Sequence, residues 1–373
     1  MINSEFRISV RSPQDISANV ISAWLDLEAR ALEANAFLSP LFVLPAIKYL
    51  DPDKDIFVVL VEKVGAGASD LLGVGVFRER IASRQLPLPH VVAYKSIHSY
   101  LSGLLVDKDY TDEVLTLLFE FILSKKRKWH GLQYEMKAAD GELSNAEHAV
   151  AKELGIKWTE CSRSERSILV PAKCDESILS DTPKKFRKNH ERCMRRLKEL
   201  GTEEWHFIRN DNPDHMAIDN FLRLENMGWK QQAGTSLGSN SSHASFFQEM
   251  IKGFQSQGRA FFTELSLNDE VIASTSNLIS GNTGFAFKIG WNTEYAKLSP
   301  GILNEVLFIK HCKDLLQGLD FIDSCASEES FINSIWPWQR KLVSGVYATT
   351  RLGNVVAKNR VRIRKIFKKA DAD

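Results

Sequence analysis

The stretch GWNTEYAKLSPGILNEVLFIKHCKDLLQGLDFIDSC, residues 290–325, contains the end of one strand-like segment, a helix and a second short strand. Ser299 is a common helix-capping residue and Pro300 suits the first helical position. The apolar residues that follow recur at the spacing of one buried helical face: Ile302, Leu303, Val306, Leu307, Leu315 and Leu316. The sequence therefore predicts a helix that starts at Pro300, where unpaired N–H groups face either water or an anion.

The length and composition of the chain limit its class. Its 373 residues exceed what one core usually supports, so two domains are expected, 1–170 and 171–373, with a boundary near Pro171. A formal net charge of +1 indicates no global bias toward nucleic acid or membrane. The N-terminus lacks the apolar segment of a signal peptide, and five widely spaced cysteines show no metal-ligand spacing. We therefore expect a cytoplasmic protein with neither bound metal nor disulfides.

Strand and helix patterns occur in the same order in both halves of the chain. In each half, several strands separated by tight turns are followed by a helix that leads into another strand. Such an order predicts the α/β class with mixed, mostly antiparallel sheets flanked by helices. In the second half the helix is the one that starts at Pro300, whereas the nearest counterpart in the first half, HSYLSGLLVD, has Gly103 without a capped helix directly after it.

This order of elements resembles the GNAT acyltransferases, and two such domains in tandem are similar to the Fem-type aminoacyltransferases. Four segments further resemble the CelD/BcsL-type acetyltransferases associated with cellulose and polysaccharide biosynthesis: NAFLSPLFV, FRKNHERCMRRLKELG, LRLENMGWKQQAGTSL and FKIGWNTEYAKLSPGILN. The resemblance implies transfer of an acyl group, acetyl by expectation, from acyl-CoA to an amine. It also implies that the second domain binds the thioester, while the first is degenerate and helps to form the acceptor cleft.

The resemblance places the CoA pyrophosphate at the start of the Pro300 helix. Many GNAT proteins use a glycine-rich loop there, whereas this chain offers Ser299 and Gly301, followed by the amides of Ile302 and Leu303. Gly301 permits close approach of the backbone, so a cradle with fewer donors stays feasible. The alternative is an ordinary capped helix that binds no ligand.

Two carboxylates are candidates for the base that an amine acceptor needs. Glu225 lies on the apolar stripe of its helix with Ile218 and Phe221, and Asp323 ends the strand after the Pro300 helix. Each also has a structural alternative, because Glu225 could pair with a nearby cation and Asp323 could cap the next turn. No cysteine or serine has a recognisable activating neighbour, so direct attack of the amine on the thioester is expected.

Four residues are candidates for binding the acceptor, a small-molecule, sugar or lipid amine. Trp229 and Lys230 follow the Glu225 helix, Lys288 interrupts an apolar strand, and Tyr295 precedes the Pro300 helix. Lys288 could instead form a structural ion pair, and Tyr295 could brace its turn. The nine histidines show no clustering, and none is assigned a role.

Two basic segments indicate acidic partners or simply solvated faces. The first is a helix from Pro183 to Leu200, which could meet the terminal phosphate of CoA, an acyl carrier protein or RNA, although tight binding of nucleic acid is not expected. The second is the tail KNRVRIRKIFKKADAD, which could contact an anionic membrane surface or dock on the second domain. Two rivals to the acyl-CoA enzyme stay open: an aminoacyl-tRNA-dependent transferase, and an inactive binding module in a polysaccharide or lipid assembly.

Overall fold

The fold comes from a computed structural model that describes residues 5–65, 69–125, 128–175, 177–209, 214–227 and 236–370. The chain divides into two compact units. The first contains Met1–Ile47, Asp51–Glu165 and Arg340–Asp373, and the second contains Lys48–Leu50 and Arg166–Gln339. One of the boundaries between the two units lies between Glu165 and Arg166.

The first unit is a sheet flanked by helices. Its elements in chain order are β1 (Phe6–Arg11), α1 (Ala18–Arg30), α2 (Pro40–Leu50), β2 (Ile56–Val64), β3 (Ser69–Arg80), β4 (His90–Ala93), β5 (Leu105–Val106), α3 (Thr111–Ser124), β6 (Gly131–Ala138), α4 (Glu142–Glu153) and β7 (Lys157–Leu169), with β13 (Trp338–Ala348) and α10 (Arg351–Ala370) at the end of the chain. Strands β1 to β4 are successive antiparallel neighbours, β4 runs parallel to β6, and β6 is antiparallel to β13.

The placement of residues 340–373 differs from the prediction that they belong to the second domain. Strand β13 pairs with β6 in the first unit, from Leu342 opposite Ala138 to Ala348 opposite Gly131. Helix α10 continues from this strand, and the Arg360 guanidinium donates to the Arg84 carbonyl. Backbone pairing between distant strands therefore assigns the tail to the first unit. Docking of the tail on the second domain was one of the two alternatives expected from the sequence.

The second unit repeats the plan with fewer strands. Its elements are α5 (Ser177–Ser180), α6 (Lys184–Leu200), β8 (Glu203–Ile208), α7 (His215–Glu225), α8 (Ser241–Gln255), β9 (Ala260–Leu267), β10 (Glu270–Ser280), β11 (Thr283–Trp291), α9 (Pro300–Leu315) and β12 (Phe321–Asp323). Strands β8 to β11 are antiparallel neighbours, β12 is parallel to β11, and β12 is antiparallel to the end of β7. The predicted α/β class with mostly antiparallel sheets flanked by helices is confirmed.

Helices cover both faces of the sheet in the second unit. On one face, Phe221 of α7 and Phe247 of α8 pack against each other, with Phe262 and Phe287 of the sheet beneath them. On the other face, α9 packs against β9, β10 and β11. The predicted start of α9 at Pro300 is confirmed. Proline suits this position because the first helical turn needs no N–H partner from it.

Candidate active site

Strands β11 and β12 stay paired over a short distance. Thr283, Gly284 and Phe285 pair with the three residues of β12, whereas β11 continues to Trp291. Residues 286–291 therefore lie beyond the segment of β11 that pairs with β12. The chain then turns back through residues 293–298 into α9, whose Gly301 lies against the side chains of Ile289 and Trp291. The part of β11 that continues past β12 thus lies beside the start of a helix.

The start of α9 differs from the expected capped helix. Ser299 has left-handed backbone angles (φ 52°, ψ 54°), and its side chain makes no capping hydrogen bond. The amides of Ile302 and Leu303, which were expected to face an anion, both donate to the Ser299 carbonyl at 2.9 and 3.1 Å. Pro300 has no N–H, so within the described residues Gly301 supplies the donor that is left in this turn.

A buried polar network sets the position of α9 on the sheet. The Asn304 side-chain amide donates to the Thr263 hydroxyl at 3.0 Å and to the Thr263 carbonyl at 3.2 Å. The hydroxyls of Thr263 and Thr275 lie 2.6 Å apart, and the Trp205 indole donates to Asn304 at 2.8 Å. Buried polar groups that satisfy one another permit few alternative arrangements, so this network restricts where the helix start can lie.

A bulge changes the direction of side chains in β11. Ser276 pairs with Lys288 while Asn277 pairs with Ala286, so Phe287 is an extra residue in β11. Bulges bend a strand and re-aim its side chains, and they are frequent next to active sites. Here Phe287 stacks on Phe247 of α8, and the ammonium of Lys288 lies 5.7 Å from the centre of the Phe287 ring. Lys288, a predicted substrate-binding residue, therefore faces the side of the sheet that α7 and α8 cover.

Glu225 is held at the end of α7, on this same face. A Cβ added to Gly290 would lie 2.5 Å from the Glu225 backbone nitrogen, so only glycine lets the helix end approach β11 this closely. The carboxylate is 1 % exposed and accepts a hydrogen bond from the Leu237 N–H at 2.7 Å. The prediction that it points away from open water agrees with this burial.

His243 completes a charged group around Glu225 that the sequence interpretation missed. Burial lowers the pKa of His243, the positive charge of Lys288 lowers it further, and the negative charge of Glu225 opposes both. The three side chains therefore act on one another although they come from α7, α8 and β11. One signal was present in the sequence, because His243 precedes the buried Phe246 and Phe247 by three and four residues and so shares their helical face.

Asp323, the second candidate base, has mainly structural contacts. It is fully buried, its Oδ1 lies 3.3 Å from Nη1 of Arg166, and the same oxygen accepts the Cys325 N–H at 2.8 Å. Its strand partner is Phe285, five residues before Gly290, which separates it from Glu225 by roughly 16 Å along β11. The structure therefore does not bring the two candidate carboxylates together.

The remaining predicted acceptor residues divide into two groups. Tyr295 is partly buried and packs against a cluster that includes Cys193 of α6 and Leu303 of α9, so it braces the turn before α9. Trp229 and Lys230 lie outside the described residues. Of the two predicted acceptor residues that the structure describes, Lys288 lies near His243 together with Glu225.

Comparison with known proteins identifies the domain type. Residues 184–332 match the acetyltransferase (GNAT) domain family. The structure is similar to that of FemX, with a TM-score of 0.56 and 11% identity over 94% of this chain and 100% of FemX. It is also similar to L-PGS from Bacillus licheniformis, with a TM-score of 0.53 and 12% identity over 93% of this chain and 96% of that one. No curated protein sequence matches significantly.

A third solved structure shares the fold. It is a conserved protein of unknown function from Bacteroides thetaiotaomicron, with a TM-score of 0.52 and 12% identity over 92% of this chain and 99% of that one. At these identities the similarity concerns the fold alone, while the segment matched by the family includes residues 286–291 of β11, α9 and Glu225. Residues 184–332 are thus similar to acetyltransferase domains of the GNAT type, and the solved structures support the same fold.

Proposed function

We propose that this protein transfers an acyl group, acetyl by preference, from acyl-CoA to an amine by direct attack. The observation that carries the proposal is that β11 continues through residues 286–291 beyond its pairing with β12 and runs beside the start of α9. An extended amide-bearing chain such as pantetheine can pair with a strand as an added strand does. In CoA the pyrophosphate follows the pantetheine chain. The Gly301 N–H, at the positive end of α9, would then face that pyrophosphate.

The face opposite α9 supplies the proton chemistry. An amine with a lysine-like pKa near 10.4 is protonated at pH 7, and freeing its lone pair costs about 4–5 kcal/mol. His243 is neutral at that pH because burial and Lys288 lower its pKa, so its imidazole accepts the proton as the amine attacks the carbonyl. Glu225 then stabilises the imidazolium, and the thiol of CoA leaves with a proton. Glu225 therefore acts through His243 in this scheme, which refines its predicted role as the base.

The acceptor is a small-molecule, sugar or lipid amine. The resemblance to CelD/BcsL-type proteins favours a precursor of polysaccharide or lipid, and Lys288 offers a positive charge to an anionic group of such a precursor. Trp229 and Lys230 follow Glu225 in the chain and stay proposed acceptor contacts. Asp323 is the less favoured base, because its contacts with Arg166 and Cys325 explain its burial.

Titration of acetyl-CoA by calorimetry tests the donor site. Gly301→Asp places a carboxylate at the proposed pyrophosphate position and should weaken binding by about tenfold or more. Gly301→Ala is the matched control, because its Cβ meets Ile289 and Trp291 at 3.2 and 3.3 Å and so adds crowding without charge. Equal affinities for Gly301→Asp and Gly301→Ala would remove the thioester from this helix.

Acyl transfer to a panel of amines tests the reaction itself. Glu225→Gln keeps the shape of the side chain but loses its charge, so transfer should fall by roughly 10²–10⁴ while acetyl-CoA affinity changes little. Asp323→Asn, refolded and assayed under the same conditions, is the comparison for the other carboxylate. A wild-type protein that acylates no amine from any thioester would support the inactive binding module instead.

A second candidate donor, aminoacyl-tRNA, is favoured by the position of α6. This basic helix packs beside the start of α9, where the Cys193 thiol lies 3.8 Å from the Lys297 carbonyl, and Lys188, Arg192 and Arg196 are exposed on it. RNA binding through such residues would fall steeply with salt. Submicromolar tRNA affinity that is lost when these three side chains are neutralised would favour the tRNA donor. The same loss of affinity for an acyl carrier protein would favour that protein as the donor.

The acceptor proposal extends to a membrane surface if the amine is lipid. Helix α10 exposes Leu352, Val355 and Ile363 among basic residues, a pattern typical of helices that lie on anionic bilayers. No helix in the described part of the chain is long and apolar enough to cross a bilayer. Sedimentation with anionic vesicles, and its loss in Leu352→Asp, tests this contact.

A further inference from the structure

A second concave site lies in the second unit, between the outer strands of the sheet and the start of α7. It is a groove of about 640 Å³, which is within the range of small-molecule sites. Its lining includes five carboxylates: Glu204, Asp214, Glu264, Asp269 and Glu270. The Arg223 guanidinium is the one permanent cation among its described lining residues, so the groove is strongly negative.

Several of these charges already have partners. Arg223 lies 3.7 Å from Glu270 and donates to the Val271 carbonyl at 2.8 Å, while His206 lies 3.3 Å from Glu204. Asp214 caps α7 by accepting the Ala217 N–H at 3.1 Å. The donors in these contacts lie at the rim of the groove and at the start of α7. None of these contacts involves Glu264, which lies on the floor of the groove.

Glu264 is the residue that points to a ligand. It stands on β9 in register with His206 of β8 and Ser274 of β10, and it is 4 % exposed. Its Oε1 has no hydrogen-bond partner among the described residues. A buried carboxylate oxygen without a donor is costly, and a bound cation would supply that donor.

The surroundings of Glu264 disfavour its ionised form, which a cation beside it would stabilise. Burial raises the pKa of Glu264 to about 7, a hydrogen bond from Asn220 opposes the rise, Asp214 adds to it, and Arg223 opposes it. Around it lie His206 from β8, Asp214 and Arg223 at α7, and Glu270 from β10. A cation in the groove would favour the ionised carboxylate, which is the form that accepts hydrogen bonds.

The other lining residues select the kind of cation. Within the described residues, no group of three or more His, Cys, Asp or Glu is arranged to hold a metal ion. Ile208, Met216 and Val271 add apolar surface next to the carboxylates, and Met216 is largely exposed. A methylene chain that ends in an ammonium matches this combination, because its stem packs on apolar side chains while its head meets carboxylates.

We propose that this groove binds an alkylammonium group, with the Glu264 carboxylate as its buried counter-ion. The group comes either from a free aliphatic polyamine or from a lysine side chain of a peptide, since both present the same chemistry. The site is separate from the proposed acyl-transfer site, because Glu264 lies under Asn220 in the middle of α7, whereas Glu225 ends that helix above Gly290. The proposal therefore does not depend on the transferase reaction.

Calorimetric titration at low ionic strength and pH 8 tests the proposal, with 1,5-diaminopentane and a lysine-containing tripeptide as probes. Glu264→Gln keeps the size of the side chain and should weaken binding of the preferred probe by about tenfold or more. Glu204→Gln is the matched control, because it removes an exposed carboxylate of the same groove that pairs with His206. It should change the affinity less than about threefold.

The pH dependence gives a second readout. The alkylammonium groups of both probes stay protonated up to pH 8, so wild-type affinity should rise about tenfold from pH 6 to pH 8 as Glu264 ionises, and Glu264→Gln should lose this rise. Tighter binding of the diamine would identify a free polyamine as the source, and tighter binding of the peptide would identify a protein. The proposal would be overturned if sodium ions bound as tightly as the probes, or if neither probe bound. It would also be overturned if Glu264→Gln and Glu204→Gln lost the same amount of affinity for the probe.

Discussion

Gly290→Ala tests whether the approach of α7 to β11 is needed for acyl transfer. The new Cβ would lie 2.5 Å from the Glu225 nitrogen, 2.8 Å from the Leu224 carbonyl carbon and 2.9 Å from the Glu225 Cα. Ordinary contacts of this kind begin at 3.4 Å, so the end of α7 must withdraw by roughly 1 Å. The obstructing atoms belong to the backbone, and a rotamer change therefore cannot relieve the contact.

Two quantities follow from this displacement. Crowding in a packed core costs about 1–3 kcal/mol, so the free energy of unfolding in urea should fall by that amount. A misplacement of about 1 Å can cost about 10²-fold in rate, so kcat should fall by about that factor as Glu225 moves away from His243 and Lys288. The KM for acetyl-CoA should change less than kcat, because the added methyl group points at the backbone of α7, whereas the proposed contacts of pantetheine are with the backbone of β11.

Gly284→Ala is the matched control in the same strand. The three atoms nearest to its added Cβ are side-chain atoms of Ile322, at 3.0 to 3.4 Å, and Gly284 lies six residues before Gly290 in the strand. We expect a small loss of stability and nearly unchanged kcat. If Gly290→Ala retains kcat within about threefold of the wild type while unfolding more easily, the position of Glu225 is irrelevant to the chemistry.

Three further predictions concern buried charged groups. Asp323→Asn removes the negative charge that lies 3.3 Å from the buried Arg166 guanidinium, so the free energy of unfolding in urea should fall by about 3–5 kcal/mol; a loss below about 1 kcal/mol would show that this ion pair contributes little. The pKa of His243 is lowered, so the rate of acyl transfer should stay constant down to below pH 6.5 and then fall as the imidazole is protonated. If the rate of His243→Gln falls at low pH in the same way, another group is responsible for the fall. The pKa of Glu264 is raised from 4.5 to about 7, so the folded state binds the proton more tightly and the free energy of unfolding should decrease by up to about 3 kcal/mol as pH rises from 4.5 to 7, then level off. Glu264→Gln should remove this decrease, and an unchanged slope in urea titrations at pH 5, 6, 7 and 8 would show that the slope has another origin.

Local sequence patterns predicted most elements of the second unit. The start of α9 follows from Pro300, and α8 follows from the helical spacing of Phe246, Phe247 and Met250. The antiparallel strands β9 to β11 follow from apolar runs separated by the turns at Asn268 and Gly281. These features depend on the backbone preferences and side-chain spacing of neighbouring residues, which a sequence displays directly.

The hydrogen bonding at the start of α9 could not be inferred in the same way. Ser299 looked like an ordinary capping residue, yet it adopts left-handed angles and its carbonyl takes both the Ile302 and Leu303 amides. Gly301 at the same time packs on Ile289 and Trp291 of β11. The direction of an amide depends on how the turn before the helix packs on the sheet, and residue type alone does not specify that packing.

The sequence by itself determined the α/β class, the two similar halves and the helix that starts at Pro300, because these depend on local propensity and on periodic burial. Tertiary structure alone decided that His243, Glu225 and Lys288 meet, since they are brought together by the bulge at Phe287 and by the close packing of α7 on Gly290. It also decided that β13 pairs with β6, which lies more than 200 residues earlier in the chain. Strand pairing and side-chain contacts of this kind join residues that are distant in sequence. These interactions therefore stabilise the chain only once it has folded.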